Sequence, residues 1–338
     1  MILVTGGTGL VGSHLLYELV QKGQNVRALV RDVKKTDLVQ KIFSYYSPNA
    51  QKLIEKIDWV IGDILDLSSL QDAFEDITEV FHCAAIVSFE GKNKNEIIRI
   101  NSEGTANIVN LGLEFNIKKL CHVSSIASLG DALNGELTDE NSKWIASKNR
   151  SAYSVSKYKS EMEVWRGIQE GLHAVIVNPS VILGPGFWNN GSGSLFATAA
   201  KGMKYYTLGG TGFVDVRDVA KVMVKLMDSE ITNERFILNS ENLIYKDLFG
   251  LIADETGAKK PKKYATHNLL KLAATLDGLA GLLRIKKREL TKDIVRSSLS
   301  VSKYSNRKIR EALNYEFIPI NQSIKDMTAL YKKDLMLS

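Results

Sequence analysis

Tyr153 and Lys157 stand four residues apart in SAYSVSKYKSE. On a helix that spacing places both side chains on one face. An ammonium beside a phenol favours the tyrosinate, lowering a pKa of about 10 toward the working range. Tyr153 therefore reads as a general acid/base toward a substrate oxygen. Ser125 closes the apolar run KLCHVSS, where a hydroxyl can bond the same oxygen. The Tyr–Lys spacing recurs at Tyr304 and Lys308 in KYSNRK. That pair lies late in the chain, away from any predicted strand end, and is set aside.

A second constellation opens the chain. In ILVTGGTGLVGSHL, Gly6, Gly9 and Gly12 follow a strand ending at Thr5 and lead into a helix beginning near Leu10. Gly6 permits the tight turn, Gly9 lets the backbone approach a pyrophosphate, and Gly12 allows close helix–strand contact. The helix N-terminus offers free N–H groups to the anion. No Gly-Lys-Ser/Thr follows, which excludes a Walker A loop. The second strand ends at Val30, where an NAD site usually presents an acid to the ribose 2′-OH. Arg31 follows, with Lys34 and Lys35 close behind. Arg31 is expected to stack on adenine and pair with a 2′-phosphate. NADP(H) is thus the preferred cofactor; Asp32 next door keeps NAD(H) as the second option.

Short apolar runs over 2–5, 25–30, 57–62, 79–84, 119–124 and 174–180 alternate with amphipathic stretches near 10–22, 36–47, 67–75, 93–115 and 152–170. This alternation predicts an α/β fold, a doubly wound parallel sheet of the Rossmann type with ligands at the carboxyl ends of its strands. After Pro179 the character changes. Residues 184–194 read as a Gly/Asn/Ser-rich loop, 213–228 as a strand entering a helix, and 235–240 as a returning strand. From 241 on, helices and loops are expected with no further strand. The expected division is a dinucleotide-binding domain over 1–178, joined again by 213–240. A smaller, mostly helical substrate lobe takes up 179–212 and 241–338.

The 338 residues are 44% hydrophobic and 24% charged, with a net charge of +6. This excludes a disordered chain or a disulfide scaffold. Cys83 and Cys121 lie in or beside apolar segments and read as buried thiols without metal-ligand spacing. No uncharged apolar run reaches the 18 residues of a spanning helix, and MILVTGG carries no secretion signal. A cytoplasmic location is expected, with no stable membrane insertion. The basic runs at 259–263 and 284–288 read as solvated faces, and no nucleic-acid module is present.

These residues together resemble the extended branch of the short-chain dehydrogenase/reductase superfamily, the NAD-dependent epimerase/dehydratase family, over nearly the whole length. The family's TGxxGxxG matches Thr5–Gly12, implying cofactor contacts from Gly6, Thr8, Gly9, Leu10, Val11 and Gly12. Its acid after the third strand matches Asp63, followed by Ile64, beside adenine. Its HxAA matches His82, Cys83, Ala84 and Ala85, lining the cofactor ribose, and its asparagine before GTxN matches Asn101. The resemblance implies Ser125, Tyr153 and Lys157 as the catalytic set, the last two also touching the cofactor. It further implies that Ser124 approaches the cofactor and that the Pro179–Ser180 turn contacts its nicotinamide amide.

Within the branch, RALVRD looks like the reductases, closest in pattern to dihydroflavonol reductases and 3β-hydroxysteroid dehydrogenases. Nucleotide-sugar epimerases usually carry an acid at Val30 and an arginine at the place of Thr211–Gly212; both are absent. The reading is reduction of a carbonyl, or oxidation of the matching alcohol, on a small organic substrate, without a metal. A nucleotide-sugar epimerase or dehydratase is the alternative, and a non-catalytic dinucleotide sensor is the second alternative. The resemblance favours a homodimer. Phe187, Trp188 and Asn189 are expected to contact substrate. Tyr205 and Tyr206 are assigned to the same pocket or to the core. The stretch 268–283 reads as a lid or core helix of the smaller lobe.

Overall fold

The computed structural model describes residues 1–87, 94–130, 132, 136–147, 150–282 and 291–337. The basic run at 284–288 lies outside them. The strands are β1 (Ile2–Thr5), β2 (Val26–Val30), β3 (Ile57–Ile61), β4 (Glu79–His82), β5 (Lys119–Val123), β6 (Ala174–Pro179), β7 (Val181–Leu183), β8 (Tyr205–Tyr206), β9 (Gly210–Asp215), β10 (Glu234–Leu238), β11 (Glu241–Ile244) and β12 (Lys263–Tyr264). The helices through the first half are α1 (Leu10–Gln21), α2 (Thr36–Tyr46), α3 (Ala50–Ile54), α4 (Leu67–Phe74), α5 (Lys94–Glu114) and α6 (Ala152–Gln169). Those of the second half are α7 (Gly191–Ala200), α8 (Val216–Asp228), α9 (Tyr245–Thr256), α10 (His267–Leu282), α11 (Lys292–Leu299), α12 (Arg307–Leu313) and α13 (Ile320–Leu337).

Seven strands form one sheet in the order β10-β6-β5-β4-β1-β2-β3, every adjacent pair parallel. The order reverses between β1 and β4, and crevices for ligands open at such a switch point. Successive strand residues serve opposite faces. Ile2 and Val4 join Leu15, Leu16 and Leu19 of α1, Phe43 of α2 and Met223 of α8 in one core. Leu3 joins Phe74 of α4, Ile108 of α5 and Val164 of α6 in the other. Burial on both faces explains why these strands read as unbroken apolar runs.

The smaller lobe departs from expectation in three places. Residues 191–194, the end of the expected loop, open α7 (Gly191–Ala200). Its buried face is Phe196, Ala197 and Ala199, and Gly193 is required because a Cβ there would lie 2.1 Å from the Phe187 carbonyl oxygen. Glycine here serves close packing, which in sequence looks the same as loop flexibility. Strands also continue past residue 241. β11 joins β9 and β7 in a three-stranded sheet, and β12 pairs with β8. Runs of two to four half-exposed residues are too short to show alternation. Finally, β9 stays out of the central sheet, and Phe213 packs with Leu248, Ile252, Ile320 and Ile324 in a separate core. α8 and β10 do return to the large domain.

Candidate active site

The glycine turn lies at the switch point. Gly6 has φ +72°, and a Cβ there would sit 2.6 Å from the Ala84 nitrogen, on the loop after β4. At Gly12 a Cβ would lie 2.2 Å from the Gly6 carbonyl oxygen. At Gly9 a Cβ would lie 3.3 Å from the Gly6 carbonyl oxygen, a tight contact that favours glycine. Gly9 is the N-cap of α1 and supplies no side-chain cap. The N–H groups of Leu10, Val11 and Gly12 therefore point outward unsatisfied by any side chain, as an anion requires. Thr8, Leu10 and Val11 are partly exposed around this turn. The cradle fits a dinucleotide pyrophosphate.

Arg31 and Asp63 extend from the neighbouring ends of β2 and β3. Their charged groups are 3.9 Å apart, and Arg31 is 63% exposed. The guanidinium is thus free to meet a phosphate. Asp63 also accepts from the Leu65 N–H at 2.9 Å. Ile64 is buried and packs against Gly104. Cys83, Ala84 and Ala85 line the mouth of the crevice, partly exposed. Desolvation pushes the Cys83 thiol up to about 12, so it stays protonated at neutral pH. His82 bonds Thr5 Oγ1 at 2.7 Å and Thr105 Oγ1 at 3.0 Å. Burial holds its pKa down to about 3, so it is a neutral structural ring.

At the end of β5, Ser125 caps a short turn, accepting from the Ala127 N–H at 3.1 Å. Ser151 caps α6 by accepting from the Ser154 N–H. Ser154 in turn donates to the Ala127 carbonyl at 2.6 Å, tying the helix to the turn that carries Ser125. The Ser125 side chain lies close enough to the Tyr153 phenol to influence its ionisation. Lys157, 4% exposed, donates to the Val123 carbonyl at 2.8 Å. Burial lowers its pKa to about 8, opposed by Cys83 and Glu161. The expected lowering of the Tyr153 pKa by Lys157 does not occur here. Burial raises it, and the Ser125 side chain is the opposing influence. The ammonium is directed at a backbone carbonyl, one turn away from the phenol.

Several expected contacts have other partners. The Ser124 hydroxyl points beneath the sheet end, bonded to Glu161 and Ser128. Asn101 clamps the Ile86 backbone through both its N–H and its carbonyl and reaches Ser156, so it braces the crevice wall. At the turn after β6, Pro179 ends the strand, and the Ser180 N–H and hydroxyl both go to the Leu238 carbonyl. Trp188 turns inward: its indole packs on Phe196 and Tyr331 and donates to Asp334 at 2.7 Å. Phe187 is half-buried and Asn189 exposed, so of that trio these two remain at the surface of the loop. Tyr205 and Tyr206 form β8, where Tyr206 packs against Tyr264. They therefore lie in a two-stranded ribbon and not in the core.

Sequence reasoning missed the buried polar cluster under Ser125. Glu161, Asn178, Ser124 and Ser128 are at most 3% exposed, and Arg235 pairs with Glu161. One signal was available: Glu161 lies four residues after Lys157 on the same helix, a buried acid in line with the Tyr–Lys stripe.

The strand order, the glycine turn and the hydroxyl–phenol–amine set beside it define an α/β protein of the dinucleotide-binding class. Residues 2–238 match the NAD dependent epimerase/dehydratase family. The chain belongs to that family, whose members are NAD(P)-binding enzymes. It is 32% identical over 267 residues to a putative dihydroflavonol 4-reductase from Synechocystis sp., covering 77% of this chain and 73% of that protein. It is 28% identical to sterol demethylase protein B from Methylococcus capsulatus, over 77% and 76% of the two chains. Among solved structures, gox2253 superimposes with a TM-score of 0.81 at 28% identity, over 99% of this chain and 98% of that one. No described helix is long and apolar enough to cross a membrane.

Proposed function

We propose that this enzyme reduces the carbonyl of a small organic substrate, or oxidises the matching alcohol, using NADP(H) in preference to NAD(H). The observation that carries the reading is Ser125 at the strand end acting on the Tyr153 phenol, with the buried Lys157 one helical turn on. The bound dinucleotide supplies or accepts a hydride at its nicotinamide. Gly6, Gly9 and Gly12, with the free N–H groups of α1, hold its pyrophosphate, and Arg31 holds the 2′-phosphate. Ser125 and Tyr153 bind the substrate oxygen, and Tyr153 gives it the proton. Lys157 keeps a positive charge one helical turn from the resulting tyrosinate.

The place where nucleotide-sugar epimerases carry an arginine is Thr211–Gly212, which offers no cation to a diphosphate and favours a reductase. The relative named as a putative dihydroflavonol 4-reductase supports the same choice. The test is a panel of carbonyl compounds and nucleotide sugars, followed by NADPH absorbance and product chromatography. Stoichiometric NADPH consumption with a carbonyl compound is the expected result. Conversion of a nucleotide sugar without net cofactor change overturns it in favour of epimerisation, and no turnover beside tight cofactor binding would mark a sensor.

A further inference from the structure

The Glu161 carboxylate occupies the centre of the buried cluster. Its Oε2 accepts from Ser124 Oγ at 2.6 Å, Ser128 Oγ at 2.7 Å and Asn178 Nδ2 at 2.8 Å. Its Oε1 accepts from Arg235 Nη1 at 2.9 Å and Trp165 Nε1 at 3.3 Å. All the Oε2 donors bear on Ser125. Ser128 Oγ lies 2.7 Å from the Ser125 carbonyl oxygen, Asn178 Nδ2 lies 3.2 Å from it, and Ser124 is the adjoining residue. Arg235 is held in turn by the Glu140 carbonyl. It also lines a cavity of about 620 Å³ with Trp144, Tyr158 and Lys308, behind α6.

We infer that Glu161, oriented by Arg235, is a positioning residue of the active site: it fixes the backbone that aims Ser125 at the substrate oxygen and faces Lys157 with a negative charge. The inference rests on the roles assigned above to Ser125, Tyr153 and Lys157. A buried carboxylate with every lone pair satisfied is rigid, and a buried hydrogen-bonded network holds one geometry where an apolar core would tolerate several. Glu161 is one helical turn from Lys157, close enough for their charges to interact. Other groups face Lys157 as well: Cys83 and His82 from the β4 side, His122 from β5 and Tyr153 from its own helix. His82 and His122 are buried and neutral, with pKa values driven down by desolvation, and Cys83 stays a thiol. Cys83 and Glu161 are the neighbours that oppose desolvation of the ammonium, and Glu161 is the carboxylate of the two.

The test compares Glu161→Gln, Arg235→Met, Arg235→Lys and Ser128→Ala with wild type and Tyr153→Phe, on a carbonyl substrate found in the panel. A displacement of the reacting groups by about 1 Å costs on the order of 10² in rate. Glu161→Gln is expected to lower kcat about that much, with KM and NADPH affinity within a few-fold of wild type. Its alkaline limb in kcat/KM should move to lower pH, since loss of the carboxylate makes the ammonium easier to deprotonate. Arg235→Met should lower kcat and Arg235→Lys restore most of it. Ser128→Ala should cost a few-fold in kcat and leave the limb in place, which keeps the idea testable where Glu161→Gln fails to fold. Wild-type kcat and an unmoved limb in the folded variants, with only a lower Tm, would reduce Glu161 to a packing residue. Near-normal turnover by Tyr153→Phe would instead overturn the functional reading beneath it.

Discussion

Two Tyr-x-x-x-Lys segments in this chain share a spacing and nothing else. Tyr153 and Lys157 both lie on α6, in its first two turns, with Lys157 buried against β5 and the Tyr153 phenol close to Ser125. Tyr304 precedes α12, which begins at Arg307. Its backbone is engaged in an isolated bridge with Thr138 and in hydrogen bonds to Asn242 and Asn239. Lys308 pairs with Glu234 at 2.8 Å, caps the Arg235 carbonyl and lies over the Phe236 ring. An i,i+4 spacing produces a shared face only when one helix contains both residues. It yields an acid/base site only when that face meets a strand end beside a cofactor cradle.

The contrast breaks most directly at the phenol. Tyr153→Phe should lower kcat by about 10² or more while NADPH affinity, read by fluorescence titration, stays nearly constant. Retention of activity would remove the distinction between the two pairs. The next effect concerns the cradle that only the first pair has beside it. Arg31→Ala removes a charge-assisted contact worth roughly 1.5–3 kcal/mol, so NADPH should bind about 10- to 100-fold more weakly and NADH much the same. Equal weakening of both cofactors would assign Arg31 to adenine stacking alone.

A third measurement sharpens the comparison through Lys157. In the proposed mechanism its active form is the ammonium, and burial has lowered its pKa to about 8. The kcat/KM for carbonyl reduction should therefore be level below pH 8 and fall about tenfold per unit above it. A profile level to pH 10 would show that Lys157 keeps its charge when exposed lysines do, contrary to its burial. The smallest effect belongs to the second pair: Tyr304→Phe should keep kcat within about twofold of wild type. A large loss there would make the late pair part of the site.

Much of the large domain was legible because its signals are local. Seven apolar runs became the seven strands of the central sheet, since parallel strands covered on both faces must be apolar throughout. The glycine spacing translated into the turn because Gly6 requires a positive φ and Gly12 a bare Cα. The smaller lobe was harder to read. α7 hid behind glycines that allow packing, and β11 and β12 are too short to carry a pattern. Trp188 could face substrate or core, and the choice was made by Asp334, which lies 146 residues away and accepts from both Trp188 and Tyr45.

By itself the sequence determined the alternation of strands and helices through the large domain, the glycine turn after β1, and the presence of serine, tyrosine and lysine at usable spacings. These follow from side-chain period and turn chemistry, which act over a few residues. The tertiary structure decided which Tyr–Lys pair meets a strand end, and it turned Ser124 away from the crevice. It also joined Glu161 to Arg235 across 74 residues. Those outcomes depend on which groups are withdrawn from water together. A buried carboxylate must find its donors wherever the packed chain places them.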